Sequence, residues 1–170
     1  MATEKSIQLL TEEFLMDLYF TCLKNEYVLG IVCEHIKSEH LPDRDFQTLH
    51  KAFQKLFRES KSCPPFSLLQ QSVARNRGAV ELLNDIYETA GVLSTEQCIK
   101  QLESYIRQVR FQKMFREAGE MYNKQRIDEA YALVADFSEW FNTFNLSNKD
   151  FVNVISDFDA NFRANRAKKA

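Results

Sequence analysis

The fold class this sequence predicts is all-α. Three features carry that prediction: a shortage of chain breakers, apolar residues at helical spacing, and capping residues ahead of several apolar runs. Only 4 Gly and 3 Pro occur in 170 residues. A sheet protein with many turns uses more of both, so the shortage favours long helices with few connections. The composition, 45% hydrophobic and 27% charged, is that of a folded globular chain. At this length one domain, with or without an appended element, buries roughly 70% of the surface its unfolded form exposes.

The elements follow in order. Thr11 is placed to cap a first helix whose first turn holds Glu12 and Glu13 and whose apolar positions are Phe14, Leu15, Leu18 and Cys22. A second helix is predicted from about Asn25 to Ser38, with Val28, Leu29, Val32 and Ile36 inward, broken by His40-Leu41-Pro42-Asp43. From Asp43 to about Ser60, Phe46, Leu49, Phe53, Leu56 and Phe57 share one stripe. Cys63-Pro64-Pro65 ends that unit, and a short helix runs from about Phe66 to Arg75. Gly78 is expected to separate it from a helix carrying Val80, Leu83, Ile86 and Tyr87, closed near Gly91 in the usual C-terminal position.

Ser94 and Gln97 form a capping box at the head of a long helix with Ile99, Leu102, Ile106, Val109 and Met114, reaching about Asn123. The short turn at Lys124-Gln125-Arg126 admits only an antiparallel neighbour, carrying Ala130, Tyr131, Val134, Phe137, Phe141 and Phe144. A second capping box, Ser147 to Asp150, opens a last helix with the stripe Phe151, Val154, Ile155, Phe158 and Phe162. The expected architecture is therefore a helical head of short helices (1–105), a long antiparallel hairpin (106–145) and a C-terminal linker helix (146–170).

Several chemistries are excluded or disfavoured. The glycines stand at 30, 78, 91 and 119, so neither a P-loop nor a dinucleotide fingerprint nor a nucleophile elbow can be written. No catalytic residue and no cofactor are expected, and the chain reads as a non-enzyme. Cys33, His35 and His40, with His50 beyond them, are the best metal candidates. Cys33 and His35 are two apart on a helix and point to different faces, so no metal site is expected and the histidines read as surface residues near a helix end. Asp157 and Asp159 fail as a carboxylate pair for the same reason. Cys22, Cys33, Cys63 and Cys98 are scattered without CxxC pairing. With no secretory signal, they read as reduced thiols in a cytoplasmic protein. No apolar run approaches the ~20 residues that cross a bilayer.

A net charge of -2 argues against whole-surface affinity for nucleic acid. Arg107, Arg110, Lys113 and Arg116 read as a solvated face partly neutralised by Glu103, Glu117 and Glu120. Arg163, Arg166, Lys168 and Lys169 are candidates for phosphate contact, or else the soluble end of a helix, the reading preferred here. Direct nucleic-acid binding is expected to be weak or absent.

The aromatic surplus is more informative. Of the fourteen Phe, six Tyr and one Trp, eleven stand after residue 105, a concentration in the last part of the chain. Each helix of a hairpin turns only one stripe to its partner, yet Tyr105, Phe111, Phe115, Tyr122, Trp140 and Phe144 occupy more than one side. Self-association is the expected explanation, with Tyr105, Val109, Phe111, Phe115, Tyr122, Phe137, Trp140, Phe141 and Phe144 as candidate interface residues; packing on the head is the alternative. Two fates are open to the last stripe, Phe151 to Phe162: folding back on this chain, or docking on a neighbouring subunit.

The order of parts resembles the N-terminal region of replicative hexameric DNA helicases of the DnaB type. The similarity is carried by DRDFQTLHKAFQKLF at 43–57, STEQCIKQLESYIR at 94–107 and YVLGIV at 27–32, and extends over roughly residues 10–165. The resemblance implies a collar of paired hairpins, a dimer or trimer of dimers, that binds primase or a helicase loader. It aligns 106–144 with the family's hairpin and 150–166 with the helix that packs on the adjacent subunit's motor domain. This chain lacks the RecA-like motor, so it is a stretch ending just past the linker or a stand-alone protein, and ATPase and unwinding activity cannot be assigned to it. The alternatives are a primase-side or phage adaptor that binds the helicase, and a small helical nucleic-acid-binding protein.

Overall fold

The structure is a computed structural model and describes residues 10–146. Among those residues there are seven α-helices, one 3-10 turn and no strand. The fold is all-α. Two compact units divide between Cys98 and Ile99, inside a helix. The Ser147–Asp150 capping box, the stripe Phe151, Val154, Ile155, Phe158 and Phe162, and the basic residues Arg163, Arg166, Lys168 and Lys169 lie outside the described residues.

The first unit holds α1 (Glu12–Cys22), α2 (Glu26–His35), α3 (Arg44–Ser60), α4 (Phe66–Val73) and α5 (Arg77–Thr89). Local chemistry fixes their starts. Thr11 accepts from the Phe14 amide, Asn25 from the Tyr27 and Val28 amides, Asp43 from Phe46, and Asn76 from Ala79. α2 ends at His35 rather than Ser38, because Ile36 is already extended and Ser38–His40 forms the 3-10 turn.

α3 is the central element, packing on α2, α4 and α5, while α1 packs on α2 and α5. Its buried residues Phe46, Leu49 and Phe53 share a core with Leu15, Leu18 and Tyr19 of α1 and Leu83 and Ile86 of α5, and the Tyr19 ring lies against Phe46 and Phe53. His50 is part of that core, fully buried, which corrects its reading as a surface histidine. Its two ring nitrogens are both bonded, to the Tyr19 hydroxyl and the Ile36 carbonyl, so burial leaves no polar atom unpaired.

Two glycines also differ from expectation. Gly78 does not separate two helices; it lies in the first turn of α5. A Cβ there would come within 2.6 Å of the Asp45 carboxyl carbon, so the missing side chain leaves room for that carboxylate against the first turn of α5. Gly91 is not a left-handed cap, since no glycine among the described residues has positive φ; α5 closes on extended Ala90. The Gly91 amide instead donates to Asp17, the Leu93 amide donates to Thr21, and Asn25 donates to Thr95. These three bonds anchor the strand-free segment between α5 and α6 onto α1 and α2.

α6 (Thr95–Asn123) runs on into the second unit. Its capping box is reciprocal: the Gln97 amide donates to Ser94 Oγ while the Ser94 amide donates to Gln97 Oε1. Its 29 residues extend about 43 Å. α7 (Ile127–Thr143) follows after a turn in which Gln125 is left-handed (φ 62) and the Arg126 amide donates back to the Met121 carbonyl. That six-to-one bond is the Schellman ending, here built on Gln where Gly is usual.

Candidate protein-binding surface

The two helices of the second unit run antiparallel, and their side chains give the register. Phe111 meets Phe137 edge-on with centroids 5.7 Å apart, the Arg110 guanidinium lies 4.3 Å from the Trp140 ring centre, and Arg107 donates to the Phe144 carbonyl at 2.7 Å. Each step back along α6 is thus matched by a step forward along α7.

Arg107 secures the base of the hairpin. It pairs with Glu103 at 2.8 Å, its guanidinium stacks over Phe141 and Phe144, and the carbonyl it holds belongs to the cap residue at the C-terminal end of α7. A cation there satisfies a carbonyl that no helical amide reaches and complements the negative end of the helix dipole.

The inner seam on α7 is Ala130, Leu133, Phe137, Trp140 and Phe144, at steps of three and four, all buried or half-buried. On α6 the half-buried positions Arg107, Met114, Glu117 and Met121 oppose it. A second apolar stripe follows each seam by one position. On α7 it is Ile127, Tyr131, Val134 and Phe141; on α6 it is Phe111, Phe115 and Tyr122, all exposed. Phe115 and Tyr131 are 69% and 65% exposed. One position is about 100° of rotation, and because the helices run in opposite directions the two rotations bring both stripes to the same side of the hairpin. One position before each seam, on the opposite side, stand Lys113, Arg116 and Glu120 with Glu129, Asp136 and Glu139, also exposed. The hairpin has one aromatic face and one charged face.

The sequence-derived interface residues separate accordingly. Phe111, Phe115, Tyr122 and Phe141 lie on the open face. Phe137, Trp140 and Phe144 are half-buried in the seam, and Val109 is half-buried on α6. Tyr105 is 1% exposed, already covered by its own chain, and so does not belong to an open surface. Ile127, Tyr131 and Val134 complete the face and were not among the candidates, although their spacing of four and three is the signal of a second seam.

Comparison with protein-family models, curated proteins and solved structures finds no match to this chain.

The remaining candidate chemistry does not assemble. Among the described residues no group of three or more His, Cys, Asp or Glu is arranged to hold a metal ion, and no helix is long and apolar enough to cross a membrane. Cys33 and His35 sit at the end of α2, His40 in the 3-10 turn and His50 in the core. All four cysteines are free thiols. Burial raises Cys22 well above its ordinary value, takes Cys33 and Cys98 up to about 11, and raises Cys63. That is the reverse of what thiolate chemistry needs. Of the basic stretch, Arg107 is held by Glu103, Lys113 faces Glu117 at 4.0 Å, and Arg110 lies on Trp140.

Proposed function

We propose that this chain is a non-catalytic assembly module of a replicative DNA helicase, acting in the cytoplasm through self-association of its hairpin and recruitment of a primase or helicase loader. The observation that carries the assembly part is the one-sided aromatic face. The exposed parts of its seven large apolar side chains offer on the order of 700 Å² of apolar surface, close to one partner's share of a standard interface. An exposed apolar patch of this size marks a binding site more often than plain surface. The charged opposite side favours pairing over open-ended stacking, since only one face has anything to bury. The replication part rests on the resemblance of residues 43–57 and 94–107 to DnaB-type N-terminal regions.

Light scattering over a concentration series tests the assembly. Association is expected at tens of micromolar, and Phe115→Asp with Phe141→Asp is expected to shift the chain to monomer with its circular dichroism unchanged. An unchanged mass in that variant overturns the placement of the interface. Titration with the helicase-binding domain of a purified primase tests recruitment: saturable binding supports it, and no binding to the assembled chain overturns it.

A further inference from the structure

We infer that residues 151–166 of this same chain dock on the aromatic face of the hairpin, and so compete there with a second copy. This rests on reading that face as the self-association surface, and adds what regulates it.

Reach comes first. Phe141, at the base end of the face, is five positions before Leu146, and only residues 147–150 stand between Leu146 and Phe151. A connection this short after α7 leads to an antiparallel neighbour. Pattern comes second. Phe151, Val154, Ile155, Phe158 and Phe162 repeat at the spacing of one helical face over eleven positions, about 16 Å at helical rise. The open stripe on α7, from Ile127 to Phe141, is about 21 Å long by the same measure.

Charge comes third and sets direction. α7 carries Asp128, Glu129, Asp136 and Glu139 and no Lys or Arg, while the residues after Phe162 include Arg163, Arg166, Lys168 and Lys169. With Phe151 beside Phe141 and the segment running antiparallel to α7, Arg163 arrives within one position of Asp128 in the first turn of α7, whereas Glu129 stands on the other side of the hairpin and is paired with Arg126. The opposite direction would carry the basic residues past the base of the hairpin, away from that carboxylate. Concentration comes last. A segment on a short tether meets its site at an effective concentration in the millimolar range, so a second copy at micromolar concentration is at a disadvantage of roughly a hundredfold or more for equal contacts.

Two measurements on the full chain separate this inference from the self-association it rests on. In dilute, monomeric protein, amide hydrogen exchange of residues 151–162 is expected to be slow, and to accelerate at least tenfold when the face is altered by Phe115→Asp and Tyr131→Asp. Exchange in 151–162 that is indifferent to those substitutions overturns the docking, whatever the protein does at high concentration. Sedimentation of the Phe151→Asp, Phe158→Asp double variant reads the competition. Its dimerisation midpoint is expected at a concentration at least tenfold below that of the parent, whereas an unchanged or higher midpoint overturns the competition. If exchange responds to the face but the released variant stays monomeric at all concentrations, the segment docks and the self-association reading is the one that fails.

Discussion

Tyr19 and His50, 31 positions apart in the chain, share a hydrogen bond of 2.8 Å at the centre of the first unit. The direction of that bond is fixed by a third group. His50 Nε2 lies 2.9 Å from the Ile36 carbonyl, which can only accept, so Nε2 carries the proton and Nδ1 takes one from the tyrosine. The Tyr19 ring rests against Phe46 and Phe53, and α1, the residue after α2 and α3 are thereby joined through one neutral imidazole.

That neutrality makes stability depend on pH. Burial lowers the His50 value from 6.5 to about 4. Above pH 6.5 both folded and unfolded chains are neutral at this ring and its contribution is complete. As the pH falls below 6.5 the unfolded chain takes up the proton first, so stability declines until about pH 4, where the folded ring protonates too. The expected loss over that window is on the order of 3 kcal/mol. Urea unfolding at a series of pH values measures it, and a His50→Gln variant should show a visibly flatter dependence between pH 6.5 and 4.

Gly78 should resist the substitution that usually helps a helix. In an exposed helix Gly→Ala gains about 1 kcal/mol. Here the new methyl displaces the Asp45 carboxylate from the first turn of α5, where it complements the helix dipole. The two effects nearly offset, so Gly78→Ala is expected to stay within about 0.5 kcal/mol of the parent, and to stabilise by about 1 kcal/mol when Asp45→Ala is present. Thermal melts of the four proteins in this cycle give the coupling directly. An equal gain from Gly78→Ala in the parent would show that the close approach of Asp45 is without consequence.

Arg107→Ala should loosen the base of the hairpin. It removes the pair with Glu103, which is itself 7% exposed, and leaves the Phe144 carbonyl without its donor. A loss of about 1–3 kcal/mol is expected, with Arg107→Lys recovering only part, because an ammonium cannot keep the fork to Glu103 and Phe144 and the stacking on Phe141 together. Denaturant titration and the exchange rates of amides at 140–144 check this. Full recovery by lysine would show that charge alone is what matters there.

Much of this is legible in the sequence, and the division follows the range of the interactions. Thr11, Asp43 and the Ser94–Gln97 box mark helix starts correctly because a cap bonds amides two or three residues away. The role of Gly78 is not legible in the sequence because its reason, Asp45, is far along the chain. His50 could have been found: with Phe46, Leu49 and Phe53 it completes the spacing of the buried stripe, but a titratable residue on an apolar face becomes credible only once Tyr19 and Ile36 are seen to pair it. On α7 the sequence shows that two apolar stripes exist. Which of them faces α6 depends on the register set by Phe111–Phe137 and Arg107–Phe144, and one-residue shifts exchange the inner stripe for the outer.

That last distinction yields a pair of substitutions with opposite expectations on one helix. Phe137 touches Phe111, Trp140 and Phe141, so Phe137→Ala removes packing within the hairpin and is expected to cost about 2 kcal/mol in a half-buried position. Tyr131, 65% exposed, makes no ring contact that would be lost with it among the described residues, so in the Phe151→Asp, Phe158→Asp background, diluted below its association, Tyr131→Ala should stay within about 0.5 kcal/mol of its parent. Because the residual apolar face is smaller, the same Tyr131→Ala variant should nonetheless bind less of a hydrophobic dye that reports exposed aromatic surface. Urea unfolding of both variants decides the register: if Tyr131→Ala proves the more destabilising of the two, α7 presents its other stripe to α6, and the open face lies one position away from where it is placed here.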